Sequence, residues 1–190
     1  MSLIIILALA IILGIGALTL WINGGKPDDD RSVPKSAAGI PFRTYKAVVP
    51  DSPLKLVHFI SQPEELNLTS SLIMGDKELI CITAQATISA AERLADEIEK
   101  TGRTLTYVYL DHAHFDHSQG APVLKKRFPN AQFVAAPKVA KLQQLRMKAT
   151  DDFAKSDFGD NAAIPSILFQ PLDADKLTLE GREIQLWHDY

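Results

Sequence analysis

Asp111-His112-Ala113-His114-Phe115-Asp116-His117-Ser118-Gln119-Gly120 places three of the chain's five histidines within six positions, in the spacing H-x-H-x-D-H. His112 and His114 are two residues apart, so at the end of a strand their side chains project to the same side. Two neutral imidazoles presented together can share one Zn2+ at about 2.0–2.1 Å. Asp116 and His117 follow directly, within reach of a second ion, and hydrolytic metal pairs sit roughly 3.5–4 Å apart. An oxygen ligand beside imidazoles also suits iron or manganese, so the expectation is one or two divalent ions, with zinc first. A histidine-rich surface turn is the bland alternative. It is disfavoured because an apolar strand runs into the motif and a helix follows it.

Residues 104–110 (Thr-Leu-Thr-Tyr-Val-Tyr-Leu) read as the strand that delivers Asp111 and the motif at its C-terminal end. Ligand-bearing loops of α/β folds sit there. Upstream, Ser89-Ala90-Ala91-Glu92 fits a capping box, and Ala91, Leu94, Ala95 and Ile98 form one apolar stripe. Gly102 supplies the stop of that helix. Two apolar runs, 69–74 and 78–84, flank the turn signal Gly75-Asp76 and predict a hairpin. Leu54, Leu56, His58 and Ile60 alternate with Lys55, Val57 and Phe59, which makes His58 a structural sheet histidine.

Downstream, residues 122–128 predict a short helix whose Lys125-Lys126-Arg127 run reads as a solvated face. Residues 132–135 predict a strand and 137–147 a helix. Asp151, Asp152, Asp157 and Asp160 read as a polar loop. Residues 164–171 and 177–180 are apolar pieces, and 183–187 has a last strand pattern. Strand, helix, strand, motif, helix, strand is an α/β order.

The chain has 190 residues, 46% of them hydrophobic, and a formal net charge of −3. Without its first 44 residues, roughly 150 residues remain, enough for one domain with a real core. The mildly acidic balance without a basic block gives no electrostatic case for a nucleic-acid partner. Cys81 is the single cysteine, so no intrachain disulfide forms. In an apolar strand it acts as a small hydrophobe.

Residues 3–22 form an uncharged apolar run of 20 residues, long enough to cross a bilayer as one transmembrane helix. No Lys or Arg precedes it and no A-x-A-like exit follows it, so residues 1–24 read as a membrane anchor or uncleaved signal. Residues 25–44, with their prolines and Asp run, read as a tether, and 45–190 as the folded domain. Lys26, Arg31 and Lys35 favour a cytoplasmic domain by the positive-inside rule. A single N-terminal hydrophobic segment on a small domain favours export, and the exported (periplasmic) side is the expectation adopted.

From about residue 45 to 136, the apolar hairpin, capped helix, strand, H-x-H-x-D-H motif and small-residue exit at Gly120 together resemble the metallo-β-lactamase-fold superfamily. The resemblance implies an α/β fold, a four-layer αββα sandwich with its metal site on one edge of the sheets. It implies that His112 and His114 bind a first metal, and Asp116 and His117 a second. It further implies a small-molecule substrate and hydrolysis of an ester, lactone, lactam or thioester-type bond by metal-bound hydroxide. In that chemistry Asp116 is the catalytic residue that orients the attacking water. The alternative is a non-catalytic, membrane-anchored binding protein that keeps a partial metal site.

Three departures from the family pattern stand out. Thr83-Ala84-Gln85 occupies the place where an Asp, a small residue and a glycine are expected after strand 78–84. Asp111 replaces the common Thr or Ser before the first histidine. The family completes its sites with a later His, Asp and His; His188 is the candidate for the first of these, and the chain is expected to stop partway through the second half of the fold.

Overall fold

The computed structural model describes residues 43–47 and 52–186. The expected anchor at 1–24, most of the tether, and His188 lie outside the described residues. Among those described, no helix is long and apolar enough to cross a membrane.

Seven strands form one mixed sheet in sequential order: β1 (Arg43–Ala47), β2 (Lys55–Ile60), β3 (Thr69–Met74), β4 (Glu78–Ile82), β5 (Thr104–Leu110), β6 (Gln132–Ala135) and β7 (Gln170–Pro171). The first four pair antiparallel, as short turns permit. The last four pair parallel, because each connection now contains a helix: α1 (Ile88–Lys100), then α2 (Phe115–Ser118) with α3 (Ala121–Arg127), then α4 (Pro137–Phe158). The predicted hairpin is β3–β4, and the strands predicted at 104–110 and 132–135 are β5 and β6.

Strand alternation divides the core in two. On β4 and β5, Leu79, Cys81, Val108 and Leu110 face the helices and pack against Leu94 and Ile98 of α1 and Leu124 of α3. Ile80 and Tyr109 face the other way, onto Leu177, Leu179 and Ile184. Those three belong to a two-stranded antiparallel sheet, β8 (Lys176–Leu179) with β9 (Arg182–Gln185). The described residues therefore make three layers: helices, the seven-stranded sheet and the start of a second sheet.

Three local expectations change. Helix α1 is capped by Thr87, not by Ser89: Thr87 has extended backbone and its hydroxyl accepts from Ala90 N, while the Ser89 hydroxyl bonds Glu65. Helix α4 runs on to Phe158, through the acidic segment read as a loop. No glycine or proline interrupts it before Gly159, and Lys148 pairs with Asp152 one turn on. Arg127 is not merely solvated; it bonds Glu92, Asp96 and Glu99, pinning α3 to α1. Of the apolar piece 164–171, only Gln170–Pro171 is strand.

Candidate metal centre

Strand β5 ends at Leu110, buried under α1 and α3, and the chain then turns so that residues 111–114 lie across the C-terminal edge of the parallel strands. His114 is the N-cap of the single-turn helix α2, in extended backbone. Backbone bonds clamp this loop to the segment after β4. Ala84 N donates to His117 O at 2.7 Å, and Gly120 N to Gln85 O at 2.7 Å. Gln85 is in turn buried, its amide donating to Ser70 Oγ at 2.6 Å. Two loops from neighbouring strands thus hold one another, and the motif's backbone is set by both.

Three imidazoles converge. The His112 ring lies 3.7 Å from that of His117 and 4.8 Å from that of His114, centroid to centroid. His117 Nε2 lies 3.8 Å from Asp116 Oδ2. His114 is exposed, with its ring edge-on to His112. The tightest group is Asp111, His112 and His117, whose ligand atoms all lie within 4.8 Å of one another. Asp111, which stands where the family pattern has Thr or Ser and which offers a carboxylate locally, is thus at the centre of the cluster.

Asp111 Oδ1 accepts from His117 Nδ1 at 3.0 Å and from the Thr83 hydroxyl at 3.2 Å. Its other oxygen lies 3.2 Å from His112 Nδ1, close enough for attraction but not aligned for a hydrogen bond, so that His112 Nδ1 is buried without a hydrogen-bond partner. Burial alone would raise the Asp111 pKa; its contacts with His112 and His117 outweigh that and hold the carboxyl well below its ordinary range. The same carboxylate raises the His112 pKa against the lowering effect of burial. An anionic oxygen among imidazoles, with one buried ring nitrogen left over, fits a divalent cation in donor type and charge.

The other candidates take structural roles. His58 contacts Ser71 Oγ at 2.9 Å and its pKa is lowered by burial. Cys81 is fully buried and its thiol is pushed up to about 12 by desolvation, so at neutral pH it is a protonated thiol packed in the core. Residues that the sequence did not assign to the site support the motif's exit. Gln119, buried, donates to Asp151 of α4 and to Ala163 O, and Ser166 bonds both Gln119 and Asp151. No spacing rule links positions 119, 151 and 166; only the packing of α4 brings them together.

Comparison with known proteins places residues 83–190 in the metallo-beta-lactamase superfamily. Hydroxyacylglutathione hydrolase 1 of Vibrio vulnificus (strain YJ016) is 39% identical over 41 residues, which is 22% of this chain and 17% of that protein. Among solved structures, a motif mutant of the metallo-beta-lactamase of Cronobacter sakazakii matches with a TM-score of 0.50 at 23% identity, over 73% of this chain and 51% of that one. The native FEZ-1 metallo-beta-lactamase of Legionella gormanii matches with a TM-score of 0.48 at 19% identity, over 69% and 47%. The chain therefore spans about half the length of these solved relatives. A family match over more than half of the chain that includes the whole histidine motif shows that this chain belongs to the metallo-β-lactamase superfamily.

Proposed function

We propose that the chain carries the H-x-H-x-D-H half of a metal-dependent hydrolase that opens an ester, lactone, lactam or thioester-type bond in a small molecule. The observation that supports this most is the meeting of His112, His114 and His117 with the carboxylates of Asp111 and Asp116 at the C-terminal edge of β5. Membership of the superfamily and the short match to a hydroxyacylglutathione hydrolase point the same way. In this reading His112 and His114 hold a first ion, Asp116 and His117 a second, and zinc is the expected metal, with iron or manganese as the other fits. A divalent cation bound there lowers the pKa of a coordinated water to about 7 and polarises the bond under attack.

The chain's own residues do the rest. Asp116 offers one carboxylate oxygen beside His117 Nε2. Its other oxygen is free to accept a proton from the attacking water and aim it, a general-base role. The clamp between residues 83–85 and 117–120 keeps these groups from moving apart. We place this half in a complete four-layer αββα sandwich.

The test is elemental analysis of the purified full-length protein, with turnover of a panel of a generic ester, lactone, β-lactam and thioester. Stoichiometric zinc, iron or manganese, with hydrolysis of at least one substrate lost in His114→Ala, is expected. A protein that binds none of these metals would sink the reading. Metal bound without turnover of any panel member would favour the binding-protein alternative.

A further inference from the structure

Asp111 and Thr83 immediately follow two adjacent parallel strands, β5 and β4, and their side chains meet over one ring nitrogen. Thr83 Oγ1 lies 3.2 Å from Asp111 Oδ1 and 3.2 Å from His117 Nδ1, and Asp111 Oδ1 lies 3.0 Å from that same nitrogen. A carboxylate can only accept, so the proton between Asp111 and His117 sits on Nδ1. That leaves Nε2 with its lone pair, on the side where Asp116 Oδ2 stands 3.8 Å away. We propose that Asp111 is a positioning residue, held by Thr83, that locks the His117 ring in the tautomer and orientation needed to ligate a divalent cation through Nε2. This rests on the metal-centre reading above.

The geometry has two further consequences. The second Asp111 oxygen, 3.2 Å from His112 Nδ1, makes the same carboxylate a neighbour of both imidazoles, so one side chain sets the spacing of two candidate ligands. A histidine ligand whose other nitrogen donates to a carboxylate is fixed in orientation and made more basic, and losing such a partner typically costs about 10–100-fold in metal affinity. Thr83, moreover, is a β-branched residue at φ +72°, a left-handed conformation that Asp and Asn tolerate far better. Its backbone is kept there by its N–H to Tyr109 O at 3.0 Å and by the bond from Ala84 N to His117 O. Because its side chain already reaches His117 Nδ1, a carboxylate grown from position 83 would reach it as well. The carboxylate is needed; which of the two strand ends supplies it is interchangeable.

The experiment uses the full-length protein labelled with 15N-histidine, and four chains: the unsubstituted one, Asp111→Asn, Asp111→Thr, and the exchange Thr83→Asp/Asp111→Thr. Two readouts are taken, the ring 15N spectrum without metal and zinc affinity by competition with a chromophoric chelator. The unsubstituted chain should show His117 as the Nδ1–H tautomer, and Asp111→Asn should shift that signal towards a tautomer mixture. Asp111→Thr should lose about 10–100-fold in zinc affinity, and the exchange should recover most of it. Unchanged affinity in Asp111→Thr, or an exchange no better than that single variant, would overturn the assignment. A direct-ligand role for Asp111 predicts the second of these, because moving the carboxylate to another strand would not rebuild a ligand. If the unsubstituted chain bound no zinc at all, the metal-centre reading would fall, and the metal-free tautomer would alone decide whether Asp111 sets the His117 ring.

Discussion

Gly120 shows how little room the motif has. Its φ is −76°, which any residue adopts, so conformational freedom is not why glycine stands there. A Cβ at this position would lie 2.2 Å from Ala84 O and 2.7 Å from Ala91 Cβ. The backbone passes this close because Gly120 N donates to Gln85 O, the bond that holds the two loops together. Gly120→Ala must push the loops apart, and overpacking of this kind costs about 1–3 kcal/mol. Urea unfolding should show that loss. Zinc affinity should fall as well, since the displaced loop carries His117; a variant as stable as the parent would disprove the close approach.

At the scale of elements, helix α1 is held at its start by hydroxyls and a buried acid. Thr87 caps Ala90 N at 3.1 Å and also donates to Glu65 Oε1 at 3.2 Å. Glu65, 7% exposed, further accepts from Ser89 and Arg93 of the helix and from Gln62 N of its own turn. Thr87→Ala removes the cap and one donor to a buried carboxylate, so about 1–2 kcal/mol of stability should go. Thr87→Ser keeps the hydroxyl and should lose much less; equal losses in the two variants would show that the methyl, not the cap, matters. The stripe and length of α1 were legible from spacing because a 3.6-residue period depends only on order along the chain. Its cap was misplaced by two residues, because both Thr87 and Ser89 can cap and the choice was made by Glu65, from another loop.

The whole molecule is tied across its two sheets by Glu180, in the turn between β8 and β9. Its carboxylate accepts from the backbone N–H groups of Asp76, at 3.0 Å, Lys77, at 2.5 Å, and Glu78, at 2.7 Å, in the β3–β4 turn. Gly75 leaves the space for it, since a Cβ there would meet the carboxyl at 2.6 Å. The N–H of Lys77 first, then those of Asp76 and Glu78, lower the Glu180 pKa from 4.5 to about 2. A depressed carboxyl stabilises the fold above its unfolded pKa, and that contribution fades as pH drops from about 4.5 towards about 2. Glu180→Gln should therefore melt below the parent at about pH 6, with the gap narrowing steadily on acidification. A gap that stays constant with pH would show that charge plays no part in the tie.

The parts whose logic is local could be read from the order of residues. The H-x-H-x-D-H spacing, the strand that presents it, the β3–β4 hairpin and the stripe of α1 all follow from periods of 2 or 3.6 and from turn residues a few positions apart. Whatever depends on two distant segments meeting appeared only in the folded chain. It brought Thr83 against Asp111 and His117, carried α4 through an acidic stretch by turning Asp151 inward to Gln119 and Ser166, and put Glu180 into the turn at Gly75. Each of these is a contact between residues 15 or more positions apart, and no period along the chain encodes such a meeting. For that reason the resemblance to the superfamily could be read from the motif's letters, while the meeting of Asp111 with Thr83 and His117 was visible only once the two strand ends lay side by side.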